Sequence, residues 1–174
     1  MYFQDWIRSG PWHEPNTGKS LKAIITIALL CLSAAGSASA LEGRVVGVTD
    51  GDTIKVLDGW FVEHKIRLQC IDAPEKSMAF GQRAKQALAS LVAGKNVSVR
   101  VLDTDRYGRE VGEVSIDGQS ANLGMVRMGF AWAYPKYCHD QTFYEAQDQA
   151  RSGRSGLWVD ANPTPPWEFR KAMR

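Results

Sequence analysis

Arg44-Val45-Val46-Gly47-Val48-Thr49-Asp50-Gly51-Asp52-Thr53-Ile54-Lys55-Val56-Leu57 is the stretch whose reading decides the fold. Two β-branched runs, Arg44–Val48 and Thr53–Leu57, flank Asp50-Gly51, a dipeptide suited to a tight reversal of the chain. The reading is a β-hairpin. Downstream, Glu63 to Ile71 reads as a third strand, with Ile66, Leu68 and Cys70 alternating against Arg67, Gln69 and Ile71. After Pro74 the period changes. Phe80 to Val92 sets Ala84, Ala87, Leu88, Leu91 and Val92 at helical spacing, and Gly94 is a stop signal. Strands return at Asn96–Leu102 and Glu110–Ile116, followed by the Asp117-Gly118 turn. Ser120 can cap a short helix through Met128, with Gly129 ending it. Thr142-x-x-Glu145 is a capping-box pattern that opens a third helix running to about Ser152. Five short strands with about three α-helices predict an α+β chain built on a five-stranded OB-fold β-barrel.

Length and composition bound the rest. The 174 residues leave room for one domain and its tails. With 44% apolar and 23% charged residues the chain has an ordinary globular balance. A formal charge of +2 means that any positive surface for a polyanion must be local. Lys19 and Lys22 precede an apolar run, Ala23–Leu32, which leads to Ala38-Ser39-Ala40. A basic start, a short apolar centre and an Ala-x-Ala end predict a secretory signal peptide cleaved after Ala40. The run falls short of the roughly 20 apolar residues that span a bilayer. The expected organisation is therefore an extension plus signal over 1–40, the OB-fold domain over 41–160, and a Pro- and Trp-containing tail over 161–174. The tail, with Pro163, Pro165 and Pro166, reads as unpacked. The expected location is secreted or periplasmic, with no stable membrane insertion after cleavage. Cys31 leaves with the signal, so Cys70 and Cys138 remain. In an exported protein two cysteines suggest a disulfide, with two separate buried thiols as the alternative.

Three short segments carry chemistry: Asp50-Gly51-Asp52-Thr53, Asp72-Ala73-Pro74-Glu75 and Asp105-Arg106-Tyr107-Gly108-Arg109. Each alone reads as a turn or a mixed-charge loop. Together, Asp52, Asp72 and Glu75 with Arg67 and Arg109 fall at strand ends or adjoining turns, where a barrel can gather them. That inventory suits phosphodiester hydrolysis. Guanidinium forks neutralise the phosphate as the pentacoordinate state forms. A hard cation on carboxylate oxygens adds to that neutralisation, and a further carboxylate can take the proton of the attacking water. Asp103-x-Asp105-x-Tyr107-Gly108 begins like an EF-hand loop but has Val114 where the closing Glu belongs. His64 and His139 do not pair with the cysteines at zinc spacing.

In order and composition, these segments, Ile66-Arg67-Leu68, Asn122-Leu123, Val126-Arg127, Gly129, Ala150-Arg151 and Gly156-Leu157-Trp158 resemble the staphylococcal nuclease family. The resemblance covers roughly Gly43 to Trp158. It implies one Ca²⁺ ion held by the side chains of Asp52 and Asp72 and the backbone carbonyl of Ala73, with Asp50 supporting through water. It implies Glu75 as general base, with Arg67 and Arg109 gripping the phosphate. Arg106 stands where the family usually has Lys, and implies a terminal phosphate contact. Tyr107 and Tyr134 would lie against the nucleotide. The implied activity is hydrolysis of DNA, and RNA as a further substrate, by a monomer. The alternative is a non-catalytic nucleic-acid-binding module on the same barrel. Such modules usually lose catalytic carboxylates or arginines, and all five are present here. Trp132, Tyr137, Trp158 and Trp167 are read mostly as packing aromatics rather than base platforms. Pro165-Pro166-Trp167-Glu168-Phe169-Arg170 resembles the ends of relatives in Gram-negative bacteria and on their plasmids, some from partition or transfer regions.

Overall fold

The structure is a computed structural model and describes residues 40–173. The expected signal peptide lies in residues outside that range. Strands β1 (Leu41–Val48), β2 (Thr53–Asp58) and β3 (Glu63–Leu68) form an antiparallel meander, and β5 (Asn96–Thr104) and β6 (Glu110–Ile116) continue it beyond β1. The sheet order is β3-β2-β1-β5-β6, and a parallel β3–β6 pairing closes it into a five-stranded barrel. Register irregularities between Val45 and Gly47 in β1 and between Val101 and Asp103 in β5 bend the two strands that must curl most. Alternation turns Val45, Ile54, Val56, Ile66, Val97, Val99 and Val114 inward, and all are buried.

Helix α1 (Gly81–Val92) and helix α2 (Ala121–Arg127) pack on the barrel. Leu88, Val92, Met125 and Val126 join the barrel's own apolar core. The Ser120 side chain accepts the Leu123 N–H and caps α2. Helix α3 (Gln141–Ser152) packs against α2. Its cap differs from the expected capping box: Asp140 stands at the N-cap and accepts the Thr142 N–H. A carboxylate at that position also meets the positive end of the helix dipole, so the helix begins one residue before Thr142.

The third strand is shorter than its alternation predicts. Cys70 adopts a left-handed φ of 69°, so Ile71 turns inward beside it, and both residues are buried. Ile71–Asp72 then forms a separate short strand, β4, against β7 (Trp132–Ala133). A disulfide joins Cys70 to Cys138 just after this ledge.

The largest departure from the sequence reading is at the C-terminus. The expected unpacked tail contains a helix, α4 (Pro166–Ala172). The prolines read as breakers, but Pro166 occupies the first helical turn, where its missing N–H is not needed and its φ is already helical. The rest of the stabilisation is tertiary. The Trp167 ring stacks on Tyr134 at 5.2 Å and 6°, and meets Trp132 edge-on at 6.5 Å. Trp132 and Trp158 are buried, as the packing reading expects, whereas Tyr137 is exposed.

Candidate active site

The β1–β2 reversal delivers Asp52 to the rim of the barrel. Asp50 Oδ1 accepts the Asp52 N–H at 3.1 Å, which fixes the turn. Gly51 is required by close approach: a Cβ there would lie 2.6 Å from the Ala73 Cβ and 2.7 Å from the Ala84 Cβ. Asp52 is buried. Its Oδ1 accepts the Thr53 hydroxyl at 3.1 Å, and its Oδ2 accepts the Ala73 N–H at 2.8 Å. This last bond ties the first acidic segment to the second.

Register places Arg67 opposite Thr53 on β2 and opposite Val111 on β6. Its guanidinium turns inward. Nη1 donates to the carbonyls of Leu68 at 2.8 Å and Ile71 at 3.0 Å. Nη2 donates to Asp72 Oδ1 at 3.1 Å and lies 3.1 Å from Asp52 Oδ2. One guanidinium thus links both buried aspartates. Burial pushes the Asp52 carboxyl up to about 7; Arg67 opposes the rise, while Asp50 and Asp72 add to it. Burial also pushes Asp72 up, against the bond from Arg170 and the charge of Arg67. Two buried carboxylates that burial drives toward protonation are short of positive charge.

Glu75 follows two residues after Ala73 and is only partly buried. Gly81, at the start of α1, passes so close that a Cβ there would collide with the Glu75 carbonyl at 2.0 Å. That contact sets where α1 begins and fixes the Glu75 backbone. The Glu75 carboxylate receives a residue that sequence reasoning missed. Arg170 of α4 donates Nη1 to Glu75 Oε1 at 2.7 Å and Nη2 to Asp72 Oδ2 at 2.6 Å, with Nη1 also 3.3 Å from Asp72 Oδ1. Burial works against the Arg170 charge, but its bonds to Asp72 and Glu75 outweigh it and push its pKa up. The sequence held one signal for this contact. Pro166 at a helix start sets Trp167 and Arg170 at i, i+3, on one helical face.

The structure therefore unites Asp50, Asp52, Arg67, Asp72, Ala73 and Glu75. Arg106, Tyr107 and Arg109 form a separate cluster on the β5–β6 turn. Asp105 organises it: Oδ1 accepts the N–H groups of Tyr107 and Arg109 at 2.9 and 3.0 Å, and Oδ2 takes the Arg109 Nε at 2.7 Å. Slight burial opposes the Asp105 charge, yet these bonds from Arg109 and Tyr107 hold its carboxyl below the usual range. The guanidinium carbons of Arg106 and Arg109 lie 4.8 and 5.6 Å from the centre of the exposed Tyr107 ring. Among the described residues, no hydrogen bond or salt bridge joins this cluster to Asp52, Asp72 or Glu75. The parallel β3–β6 register still sets it near them. Arg109 lies two residues before the partner of Arg67, roughly 7 Å along the strand and 5 Å across. Tyr134 has its ring covered by Trp167 and its N–H bonded to the Cys70 carbonyl at 2.9 Å.

The donor set favours a hard cation. Asp52 and Asp72 offer only oxygen, and the Asp52–Ala73 bond brings the Ala73 backbone beside them. Among the described residues, no three His, Cys, Asp or Glu side chains converge as a metal cluster.

A closed OB barrel that gathers buried carboxylates, an inward guanidinium and a partly exposed carboxylate at its rim fits the chemistry of a phosphodiester hydrolase of the nuclease class. Comparison with known proteins agrees. The family model described as staphylococcal nuclease homologue matches residues 65–160. An uncharacterized endonuclease of Escherichia coli O157:H7 is 47% identical over 75% of this chain and 85% of its own length. An uncharacterized endonuclease of Haemophilus influenzae is 41% identical over 86% and 85%. A micrococcal nuclease of Shigella flexneri is 39% identical over 89% and 94%. The chain belongs to the staphylococcal nuclease family, and it is a nuclease.

Proposed function

We propose that this chain is an exported, calcium-dependent nuclease that cuts DNA, and RNA as a further substrate, through attack of water on the phosphodiester. The observation that carries the reading is the pair of buried aspartates, Asp52 and Asp72, with only Arg67 and Arg170 among the described residues to balance them. Asp52, Asp72 and the Ala73 carbonyl would hold the ion, and Asp50 would support it through water. When bound, the cation supplies Lewis-acid neutralisation of the phosphate.

The other steps belong to the chain. Glu75, partly exposed at the rim, takes the proton of the attacking water. Arg67 fixes the two aspartates and places positive charge beside the reacting phosphate. Arg109, aimed by Asp105, gives a planar two-point contact to the developing negative oxygens. Arg106 reaches a terminal phosphate, and Tyr107 and Tyr134 lie against the sugar and base. Export rests on the signal pattern that ends at Ala40. Among the described residues, no helix is long and apolar enough to cross a membrane. The tail's resemblance to plasmid-borne relatives supports a plasmid setting, and a monomer is sufficient for the site.

The test uses purified protein on supercoiled, linear and single-stranded substrates with Ca²⁺, Mg²⁺ or a chelator. Cleavage should vanish in chelator and return with Ca²⁺. Magnesium, which demands tighter octahedral geometry, should support less turnover. Glu75→Gln should lower cleavage by about 10²-fold or more while DNA still binds. Full activity in chelator, or a stable Glu75→Gln protein that cleaves normally, would refute the reading.

A further inference from the structure

Helix α4 touches the site at two points, and both are groups with a ligand role. Arg170 lies against Asp72, a cation donor, and against Glu75, the proposed base. Trp167 lies flat over Tyr134 at 5.2 Å, the arrangement a nucleic-acid base takes on an aromatic ring. The two residues stand three apart on one helical face. A cation and a flat aromatic ring, held at a fixed separation, reproduce the two features of the incoming ligands.

The attachment is also weak enough to release. The helix has seven residues, and Pro166 is its one buried residue. Helices this short do not persist without tertiary contacts. The Arg170 side chain is 38% exposed and Glu75 is 41% exposed, so that ion pair is solvent-screened, whereas the pair with Asp72 is shielded on the aspartate side. Segments held by few buried contacts open at the low end of the stability scale.

We infer that α4 is an intramolecular stand-in for the ligands: Arg170 and Trp167 occupy the carboxylates and Tyr134 until cation and nucleic acid displace them. The inference rests on the proposed function, in that Asp72 and Glu75 are the groups being blocked. The guanidinium spends on Asp72 the negative charge that a cation would need, and it sets a positive charge beside the place the cation would take. On Glu75 it covers Oε1, which leaves Oε2 alone to meet the attacking water. Docking of α4 and loading of the site therefore compete, and apparent affinity is lowered by the fraction of molecules in the open form. Releasing the helix would raise cation affinity without touching a cation donor.

The experiment titrates the full chain with calcium chloride by calorimetry, without nucleic acid, in the wild type, Arg170→Gln, Trp167→Ala and Lys171→Gln. Arg170→Gln should bind calcium about tenfold more tightly, the size expected for loss of a partly exposed ion-pair cluster. Trp167→Ala should shift affinity in the same direction by less, and the exposed Lys171→Gln should match the wild type. Hydrogen exchange gives the second readout. The amides of Phe169 and Met173, bonded to the Pro165 and Phe169 carbonyls, should exchange faster in wild type when calcium is added. Unchanged or weaker calcium binding by a normally melting Arg170→Gln protein, with no change in α4 exchange, would overturn the inference. So would wild-type calcium affinity with lost cleavage, which would make Arg170 a substrate contact instead. If the wild type binds no calcium, the proposed cation fails, and a single-stranded oligonucleotide in chelator decides the matter for α4. Faster α4 exchange then supports displacement, and unchanged exchange refutes it.

Discussion

Asn122 is wholly buried at the start of α2, and replacing it with Ala tests how the fold holds the site. Its Oδ1 accepts the Val114 N–H at 3.0 Å, and its Nδ2 donates to the carbonyls of Gln69 at 2.9 Å and Gly112 at 3.1 Å. Only one orientation of the amide works, because its flip would set Nδ2 against a donor. The side chain thus pins α2 to β6 and to the turn that carries Arg67 into Asp72. Asn122→Ala leaves Gly112 with its bond from the Gln69 N–H at 2.9 Å, but Gln69 O and Val114 N–H lose this partner. Stranding two buried polar groups costs about 1–3 kcal/mol each. The void left by the amide adds about 1 kcal/mol. The expected loss is therefore about 3–7 kcal/mol, a large share of the roughly 5–15 kcal/mol available to a domain. At roughly 3–5 °C per kcal/mol for a domain of this size, Tm should fall by about 9–35 °C. Urea titration and thermal circular dichroism measure it. A loss below about 1 kcal/mol would show that water or backbone movement satisfies these groups, and that the amide is not what fastens α2 to the site.

Replacing Cys70 and Cys138 together with Ser opens a 67-residue loop, and stability should fall by about 4 kcal/mol. Thiol titration of the unfolded, non-reduced protein should find no free thiol from this pair, and two would refute the bond. Asp52→Asn should stabilise the metal-free protein near neutral pH. The folded-state pKa of Asp52 is raised to about 7, so the folded chain retains a proton that the unfolded chain has already lost. Wild-type stability therefore falls as pH rises from about 4 toward 7, by an amount on the order of a few kcal/mol, and the variant should lose that slope. An unchanged slope in thermal melts would refute this. Arg109→Lys keeps the charge but loses the planar fork, so turnover should fall more than affinity for uncleaved DNA. Equal losses in turnover and affinity would instead assign Arg109 to ground-state binding.

Much of this was legible in the sequence because local chemistry and tertiary need agreed. The Asp50-Gly51 turn, the alternating strands and the Ser120 cap act through near neighbours, and the barrel follows from them. The positions of Asp52, Arg67, Asp72 and Glu75 are also consequences of local structure, since each lies at a strand end or adjoining turn. What escaped depends either on a rival local pattern or on contacts distant in sequence. Cys70 reverses the backbone where alternation predicted a continuing strand, so Ile71 joins the core. Asp140 caps α3 where Thr142 offered an equally good local pattern. Helix α4 lies 98 residues from Asp72 in sequence and forms through Trp167 and Arg170, so composition read its prolines as an end to structure.

The same contrast explains why the site needs something beyond its local parts. Two buried carboxylates, Asp52 and Asp72, face one inward guanidinium, Arg67, whose Nη1 is already committed to the Leu68 and Ile71 carbonyls. Burial keeps water from relieving the excess charge at Asp72, which is 1% exposed. Three responses remain: a proton, a metal ion or a second guanidinium. Asp52 uses the first near neutral pH, and Arg170 supplies the third. A carboxylate pair balanced by a proton on Asp52 and a partly exposed arginine on Asp72 is held in the fold without a buried counter-charge for each member. That unsettled balance keeps the pair available to a divalent cation. A core salt bridge, paired permanently on both sides, would have given the barrel the same residues and no site.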